Sequence, residues 1–559
     1  MIRWLGLLAL LGWGALPVSG QTPGPVGIGL APVNDWSTQQ PFIDVMKTAR
    51  RWIGHRPGQW GGMDFDQLEA LGILDDQGWP MQIPTGLGAI GTLVLTDLPA
   101  QATAYAGRYV LEFDGQGIVE VAGSARNKRY GSGRVAFDFE PGNGPVDIRI
   151  QRSGTRGGDG DYIRNISIIR EDLKAEYDAG AMFNPLWLKQ LEGFGALRFM
   201  DWMNTNNSDQ GDWAARPRDT DFSYTWRGVP LGIMLDLANQ TGTDPWFNMP
   251  HLADDAYMSA FAAQVEAGLN PDRRVYVEYS NEVWNWQFLQ AEWADAQGRD
   301  LWGEIHKGAQ FYGMRAAEMA RIWAGAFAQR RAALVTVIAT QTGWLGLEAD
   351  ILNAPLHVAN GGAPPVQAFD AYGVAGYFGH VLGTEKRAPM IRSWIEQSRA
   401  AAADAGTQAG LKDAALATYI EAHRYDQAFE RAAQELRDGT LSGDSADTLA
   451  DLRQRVFPYH AEVAARHGLD LITYEGGSHV VGIGVQVDDA DLTDFYTALN
   501  YAPQMGPLYD GLIGAWRAVG GGLFTAYADV MAPSKWGSWG TLRYLGDDTS
   551  RMRALRQWQ

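Results

Sequence analysis

Short apolar segments typical of buried strands recur eight times along this chain, and stretches with helical periodicity separate most of them. The segments begin near residues 26, 196, 246, 275, 334, 369, 469 and 523. An alternating β/α series is typical of a parallel sheet that helices cover from outside. Because eight such units close into a (β/α)8 barrel, the sequence predicts this α/β fold, a TIM barrel enlarged by insertions.

An open, doubly wound parallel sheet is the rival arrangement for such a series. That fold commonly binds phosphates through a glycine-rich turn between a strand and a helix. The segment from Gly86 to Gly91 matches the dinucleotide pattern, but it precedes a predicted strand rather than a helix. The barrel is therefore the preferred prediction.

Two segments interrupt the barrel series. Between about residues 79 and 170 apolar and polar residues alternate, as in residues 109–113, which predicts a small inserted antiparallel β module of the sandwich type. An alanine-rich helical insertion occupies about residues 385–467. Residues 21–78 and 171–559 then form the two parts of the barrel, and the second part includes the helical insertion.

The β module allows two interpretations. It is either an accessory that binds carbohydrate or a structural insert that covers one end of the barrel. The module has no aromatic-rich motif, and the structural interpretation is favoured.

The first 20 residues have the pattern of a secretory signal peptide. Arg3 gives a positive start, residues 5–16 form a short apolar core, and small residues precede a cleavage site near Gly20. An uncleaved anchor is the alternative, but a membrane span needs about 20 apolar residues. We therefore expect a secreted or periplasmic protein without stable membrane insertion.

Composition narrows the classes of ligand and of chemistry. The net charge of −19 argues against nucleic acid and anionic membranes, which are bound through positive potential, and favours a neutral or basic ligand. The absence of cysteine excludes thiolate nucleophiles and thiolate metal sites. The nine histidines show no His-Glu-x-x-His spacing, and residues 157–161 favour a plain turn over a calcium loop, so no metal and no cofactor are predicted. Nothing in the sequence indicates an oligomeric state.

Two glutamates lie at the ends of predicted strands. Asn281 and Glu282 follow the fourth strand, and Glu475 ends the seventh. Because the carboxyl ends of parallel barrel strands open on the same face, these side chains can meet across a cleft. Two carboxyl groups about 5–5.5 Å apart are what a retaining glycosidase needs to cleave a glycosidic bond.

On these positions the chain resembles clan A of the glycoside hydrolases, whose retaining enzymes carry Asn-Glu at the end of strand four and a nucleophilic Glu at the end of strand seven. The resemblance covers the barrel, roughly residues 26–78 and 171–559, and does not single out a family within the clan. It implies hydrolysis of β-glycosidic bonds in a polysaccharide or oligosaccharide by double displacement. Glu475 would be the nucleophile and Glu282 the acid/base, with its pKa raised by Glu475 and by burial.

Charged and hydroxyl side chains are expected to support this pair. Glu278 has the strand parity of the candidate acid, so it should point into the barrel and needs a cation. Arg198 on the second strand could pair with Glu278 or, by the resemblance, hold Glu475 ionised. The resemblance also implies that Tyr377 on strand six donates to the nucleophile, and Tyr372 competes for this role.

Four residues are candidates for contact with the sugar. The resemblance implies that Asn281 bonds the sugar 2-hydroxyl, and His251 after the third strand is expected near the sugar beside the scissile bond. A pyranose packs its apolar face on an aromatic ring, which makes Trp536 after the eighth strand the preferred platform and Trp202 a further candidate. Other tryptophans at predicted strand ends are Trp284, Trp286 and Trp539.

The 22 tryptophans favour an endo-β-glucanase-like activity within this class. A non-catalytic carbohydrate-binding protein on the same barrel is the competing interpretation, which the presence of both glutamates disfavours. A polysaccharide lyase or an esterase is the third, and no Gly-x-Ser-x-Gly elbow supports a serine esterase.

Overall fold

A computed structural model describes residues 25–154 and 161–559 of the chain. The predicted signal peptide, residues 1–20, and positions 157–160 of the glycine-rich turn lie outside the described residues. Within the described ranges, no helix combines the length and the apolar character needed to cross a membrane.

The described part of the chain contains seventeen strands in three sheets. In chain order they are β1 Val26–Gly29, β2 Ile53–His55, β3 Gly62–Met63, β4 Ala89–Val94, β5 Gly107–Asp114, β6 Gly117–Gly123, β7 Arg126–Gly131, β8 Arg134–Phe139, β9 Val146–Ser153, β10 Arg164–Arg170, β11 Ala196–Arg198, β12 Asp244–Met249, β13 Val275–Tyr279, β14 Leu334–Ala339, β15 Ala371–Phe378, β16 Asp470–Ser478 and β17 Phe524–Tyr527.

The predicted eight-stranded barrel is confirmed. Its order is β1-β11-β12-β13-β14-β15-β16-β17, and every neighbouring pair is parallel. The sheet closes because β17 also pairs with β1, with Gly27 opposite Thr525. This closure excludes the open, doubly wound sheet.

Side chains fill the inside of the barrel. Ala196, Trp246, Tyr276 and Ile472 belong to one buried apolar cluster contributed by barrel strands. Residues of opposite parity, such as Val277, belong to a second cluster together with the surrounding helices. Because both faces of a parallel strand are buried, segments such as β13 are apolar almost throughout, which is why the sequence reveals them.

Helices cover the barrel from outside and build the second insertion. They are α1 Phe65–Ala70, α2 Lys174–Asp178, α3 Pro185–Leu191, α4 Leu231–Thr241, α5 Asp255–Gly268, α6 Leu289–Trp302, α7 Gly308–Ala326, α8 Leu347–Asn353, α9 Pro355–Ala359, α10 Ala388–Gln408, α11 Asp413–His423, α12 Asp426–Asp438, α13 Leu449–Asp451, α14 Phe457–His467, α15 Ala490–Asn500, α16 Met505–Ala518 and α17 Ser550–Gln557. The helices α10 to α14 lie between the sixth and seventh barrel strands.

The β insert between the first and second barrel strands consists of two antiparallel sheets. One has the order β10-β5-β8-β7 and the other β3-β2-β4-β9-β6. The second sheet therefore begins at Ile53, ahead of the predicted boundary at residue 79. The strands β2 and β3 have only three and two residues, which is too short to show a period of two, so the sequence places the start of the insert too late.

A buried carboxylate joins the two strands at which the barrel closes. Asp529 follows β17 and is fully buried. Its side chain accepts hydrogen bonds from the Ala31 backbone, 2.8 Å away, and from the Trp187 indole on α3, also 2.8 Å away. Burial raises the pKa of Asp529 to about 6. The two bonds tie the chain after the first strand, the chain after the eighth strand and a covering helix to one side chain.

We expect Trp187→Phe to lower the free energy of unfolding by about 1–3 kcal/mol, because it leaves one oxygen of the buried Asp529 without a donor while an aromatic ring remains in place. Urea unfolding followed by far-ultraviolet circular dichroism measures the change. Trp36→Phe is the matched control, since Trp36 is exposed. An unfolding midpoint equal to that of the wild type would show that the indole bond does not stabilise the closure.

Candidate active site

The polar residues predicted at the strand ends meet in the mouth of the barrel. Arg198 is the last residue of β11, Glu278 lies in β13, and Glu282 follows β13 by three residues. Glu475 lies within β16, which continues to Ser478, so this glutamate does not end its strand as predicted. Residues from the second, fourth and seventh strands therefore form one cluster.

Arg198 is the centre of this cluster. Its guanidinium donates to Glu475 Oε1 at 2.6 Å, to Glu278 Oε2 at 2.9 Å and to Asn281 Oδ1 at 2.9 Å. The side chain is 1% exposed, so both ion pairs are shielded from water. The sequence leaves open whether Arg198 pairs with Glu278 or with Glu475, and in the structure it pairs with both.

Glu278 provides the buried countercharge. Asn248 Nδ2 and Trp246 Nε1 also donate to Glu278 Oε2, at 2.8 and 3.1 Å. Burial raises the pKa of Glu278, and the charge of Arg198 opposes this shift. Because Glu278 is enclosed by donors and almost inaccessible, its contacts position Arg198 and offer nothing to a ligand.

Glu475 is held by one donor on each carboxylate oxygen. Arg198 binds Oε1, and the Tyr377 hydroxyl donates to Oε2 at 2.9 Å. Burial raises the pKa of Tyr377 well above its ordinary value, so this hydroxyl remains a donor at neutral pH. Tyr372, the competing candidate, is buried and bonds His460 Nδ1 at 2.9 Å instead. Both carboxylate oxygens of Glu475 are therefore paired with donors, one of which is a cation.

Glu282 has neutral partners. The Tyr474 hydroxyl donates to Oε1 at 3.1 Å and Asn285 Nδ2 donates to Oε2 at 2.9 Å. Burial, followed by the negative charge of Glu475, raises the pKa of Glu282 to about 7. One carboxyl group of the pair thus contacts a cation, while the other retains its proton up to neutral pH. A pair with such divergent environments can divide the roles of base and acid.

An irregularity in β16 turns two consecutive side chains toward the cluster. Val374 pairs with Thr473, but the next residue, Ala375, pairs with Glu475, so Tyr474 is an extra residue on its strand. Consecutive residues of a regular strand point to opposite faces, and an extra residue locally cancels this alternation. Tyr474 consequently reaches Glu282 while Glu475 reaches Arg198.

The turn that carries Asn281 and Glu282 is strained. Ser280 and Glu282 have φ angles of +58° and +42°, in the left-handed region that non-glycine residues rarely adopt. Two side-chain amides hold the turn, with Asn248 Nδ2 donating to the Ser280 carbonyl and Gln290 Nε2 to the Asn281 carbonyl, both at 2.8 Å. Strain of this kind concentrates at functional sites, where the surrounding structure enforces it.

The amide of Asn281 has a fixed orientation. Its oxygen accepts from Arg198, and its nitrogen donates to Asn206 Oδ1 at 3.1 Å. Gln290 Nε2 donates to the same Asn206 oxygen at 2.8 Å. One N–H of the Asn281 amide is left over for a ligand. Asn206 and Gln290 give no signal in the sequence, because neither lies on a barrel strand.

The structure corrects the prediction for Trp202. This side chain is 1% exposed and lies in the core, stacked on Trp187 with ring centroids 5.6 Å apart and in contact with Phe42 and Phe199. It cannot contact a sugar in the cleft. A position just after a barrel strand does not by itself make a side chain accessible, and a large apolar ring is buried wherever the loop turns back on the core.

Trp536 and Trp539 lie on the same loop but differ in their surroundings. Trp536 is exposed, and the Lys535 ammonium lies 4.8 Å from the centroid of its ring. None of its described contacts is with Glu282 or Glu475. The ring of Trp539 lies 5.7 Å from that of Tyr377, the donor to Glu475. Trp539 is therefore the aromatic residue of this loop that borders the cluster.

His251 lies beside the cluster rather than in it. Its ring packs edge-on against Trp293 with centroids 5.4 Å apart, and its backbone carbonyl accepts from the Tyr279 hydroxyl at 2.6 Å. Burial lowers the pKa of His251 to about 4, so the imidazole is neutral. Neither glutamate is among its described contacts.

A further carboxyl group, not predicted from the sequence, lies near Glu475. Asp201 follows β11 by three residues, and its side chain accepts from the Tyr527 hydroxyl at 2.7 Å. Burial, together with the charge of Glu475, raises the pKa of Asp201 to about 7. No spacing in the sequence distinguishes Asp201 from other acidic loop residues. Among the described residues, no group of three or more His, Asp or Glu side chains is arranged to hold a metal ion.

Comparisons with known proteins add little to this geometry. No family model and no curated protein matches the chain. Solved structures that resemble it include a fungal β-1,4-galactanase, with 12% identity, 69% of this chain and 97% of that chain covered, and a TM-score of 0.33. A broad-specificity endoglucanase from Clostridium longisporum has 11% identity, coverage of 66% and 96%, and a TM-score of 0.33. A Bacteroides ovatus xyloglucanase has 8% identity, coverage of 84% and 95%, and a TM-score of 0.32. Likenesses this weak assign neither a family nor an activity.

We expect Arg198→Met to lower the free energy of unfolding by about 3–5 kcal/mol, because it leaves the buried Glu278 without a cation. The double variant Arg198→Met/Glu278→Gln should recover much of this loss. Arg466→Met is the control, since both side chains of the Arg466–Glu462 pair are exposed and its loss should cost less than about 1 kcal/mol. Equal stability of the single and double variants would show that Glu278 does not depend on Arg198.

Proposed function

We propose that this protein is a retaining glycoside hydrolase that cleaves β-glycosidic bonds with Glu475 as nucleophile and Glu282 as general acid/base. The supporting observation is the asymmetry of the two carboxyl groups. Arg198 and Tyr377 bind Glu475 in its ionised form, whereas burial and the charge of Glu475 raise the pKa of Glu282 to about 7. Retaining hydrolysis needs one carboxylate and one carboxylic acid on opposite sides of the same bond.

In the first step a carboxylate oxygen of Glu475 attacks the anomeric carbon. The bond from that carbon to the glycosidic oxygen breaks, and the proton of Glu282 moves to this leaving oxygen. The product is a covalent glycosyl ester of Glu475 and a free alcohol, while Glu282 is left as a carboxylate. The Tyr474 and Asn285 donors then stabilise the charge that Glu282 acquires.

In the second step the carboxylate of Glu282 takes a proton from water, and the water oxygen attacks the anomeric carbon. The ester bond to Glu475 breaks, and the sugar leaves with its original configuration. Esterification removes the charge of Glu475, which is one of the causes of the raised pKa of Glu282. The pKa of Glu282 therefore falls in the step in which Glu282 acts as a base. It rises again once the ester is cleaved and Glu475 regains its charge.

The proposal extends to the setting of the enzyme. The signal-like residues 1–20 support an exported protein, secreted or periplasmic. Because the chain has no cysteine, its stability does not depend on disulfides. The substrate is proposed to be a polysaccharide or an oligosaccharide derived from one, and no step requires a cofactor.

Incubation with a panel of β-linked polysaccharides, with the products followed by NMR, tests the activity. We expect hydrolysis of at least one polymer and an initial product of retained configuration. An inverted first product would contradict the roles of Glu282 and Glu475. An unsaturated product that absorbs in the ultraviolet would indicate a lyase, and binding without any product would indicate a non-catalytic carbohydrate-binding protein.

Azide distinguishes the two glutamates. Glu282→Ala should lose most of its activity and recover part of it with azide, because the small anion attacks the glycosyl ester of Glu475 and gives a β-glycosyl azide. Glu475→Ala should give an α-glycosyl azide, since azide then attacks the substrate directly. NMR of the azide products measures the anomeric configuration. An α-azide from Glu282→Ala with a β-azide from Glu475→Ala would contradict the proposed roles. Wild-type rates in Glu282→Ala would also contradict them.

The pH profile tests the environment of Glu282. Because the protonated acid is needed, kcat/KM should fall as the pH rises above about 7. The Tyr474 hydroxyl stabilises the ionised form of Glu282, so Tyr474→Phe should raise the pKa of Glu282 and move this basic limb to higher pH. Tyr312→Phe is the matched control, since this buried tyrosine bonds the Ala339 amide and neither glutamate. A limb that stays in place or moves to lower pH would exclude Glu282 as the titrating group.

A further inference from the structure

Four tryptophans with more than half of their surface exposed follow barrel strands. Trp36 lies after β1, Trp286 after β13, Trp344 after β14 and Trp536 after β17. Single exposed apolar side chains are normal on a protein surface. These four, however, all lie on loops that leave the carboxyl ends of the strands, which is the face that carries the two glutamates.

The barrel order places the loops that carry these tryptophans in two pairs, which begin on opposite sides of the mouth. The first and eighth strands are neighbours, and so are the fourth and fifth, halfway around the closed sheet. Eight tilted strands about 4.8 Å apart give a barrel roughly 15 Å across, so the two pairs of loops begin about three sugar residues apart. A straight line between the pairs crosses the mouth.

The two glutamates come from strands that belong to these pairs or adjoin them. Glu282 is on the same loop as Trp286, four residues before it, and Glu475 comes from the seventh strand, adjacent to the eighth. A polymer bound by both tryptophan pairs would therefore pass the two carboxyl groups, with sugar residues bound on each side of them.

The exposed rings have free faces. Trp286 and Trp344 have no ring or cation contact within residues 25–154 and 161–559. Arg50 lies over Trp36, 5.7 Å from the ring, and is itself held by Asp35 at 2.9 Å. A cation bound to a neighbouring carboxylate covers one face of a ring and leaves the other accessible.

We propose that Trp36, Trp286, Trp344 and Trp536 are stacking platforms for one long, neutral polysaccharide chain that crosses the mouth of the barrel. The inference rests on the proposed hydrolase function and specifies its substrate as a polymer cut at internal bonds. A neutral chain is assigned because the net charge of −19, with Glu278 and Asp201 as further carboxyl groups near the pair, disfavours polyanionic substrates. Stacking uses the apolar face of each pyranose and leaves its hydroxyls for polar partners.

Two double variants test the platforms, Trp36→Ala/Trp536→Ala and Trp286→Ala/Trp344→Ala. Trp60→Ala/Tyr130→Ala is the matched control, because these residues are equally exposed but lie on the β insert. Binding is measured by affinity electrophoresis in gels that contain barley β-glucan, hydroxyethylcellulose, galactan, galactomannan or the polyanion polygalacturonate. Cleavage is measured on the same polymers and on 4-nitrophenyl β-glycosides of mono- and disaccharides.

We expect each double substitution of a tryptophan pair to weaken the binding of a neutral polymer about tenfold. The ratio of kcat/KM for the polymer to kcat/KM for the short substrate should fall by a similar factor. The control variant should behave as the wild type, which should release mainly long products at first. Wild-type binding in both tryptophan variants would overturn the proposal. An effect of only one pair, early release of only mono- or disaccharides, or preference for polygalacturonate would also overturn it.

The two readouts separate this inference from the proposed function. If wild-type protein binds neutral polymers through the four tryptophans but releases no product from any substrate, the platforms are supported and the hydrolase function fails. If it cleaves polymers and the tryptophan variants bind and cleave as the wild type does, the hydrolase stands and the platforms fail. Circular dichroism of each variant identifies losses of binding or activity that are caused by misfolding. If a double variant misfolds, single substitutions at the same positions are measured instead.

Discussion

The buried guanidinium of Arg198 is the interaction on which the arrangement of the site depends. A charge inside a barrel is tolerated only with partners, and this one has Glu278, Glu475 and Asn281 on its donors. These acceptors belong to the fourth strand, the turn after it and the seventh strand. The closed barrel must therefore bring these segments within hydrogen-bonding distance of Arg198 on the second strand. The need to neutralise one cation thereby fixes Asn281 and Glu475 relative to each other, and Glu282 follows because it adjoins Asn281.

The same cation makes two chemically identical side chains different. Glu475 touches Arg198, whereas Glu282 receives only neutral hydroxyl and amide donors and lies within the field of Glu475. The proposed division into nucleophile and acid depends on this difference between their partners. The extra residue in β16 contributes to this difference, because it lets Tyr474 donate to Glu282 while the next residue, Glu475, accepts from Arg198.

The loops around this rigid centre contribute most of what a ligand would meet. The barrel fixes where each loop begins, but packing decides which of its side chains are exposed. On the loop after β11, Trp202 is buried among aromatic rings, and on the loop after β17, Trp539 reaches Tyr377 while Trp536 points to solvent. Such outcomes depend on contacts between segments distant in the chain, which local patterns do not contain.

The sequence by itself determined the eight-stranded barrel, since fully buried parallel strands are apolar almost throughout. It singled out Arg198, Glu278 and Glu475 because charged residues within such strands are rare, and Glu282 because it follows the fourth strand in an Asn-Glu pair. It placed the first strands of the β insert too late, because strands of two or three residues have no period. Only the tertiary structure decided that Arg198 binds both carboxylates, that Tyr377 rather than Tyr372 reaches Glu475, and that Asp201, Asn206 and Gln290 join the site. Hydrogen bonds between side chains far apart in sequence are fixed by distances that exist only once the barrel has closed.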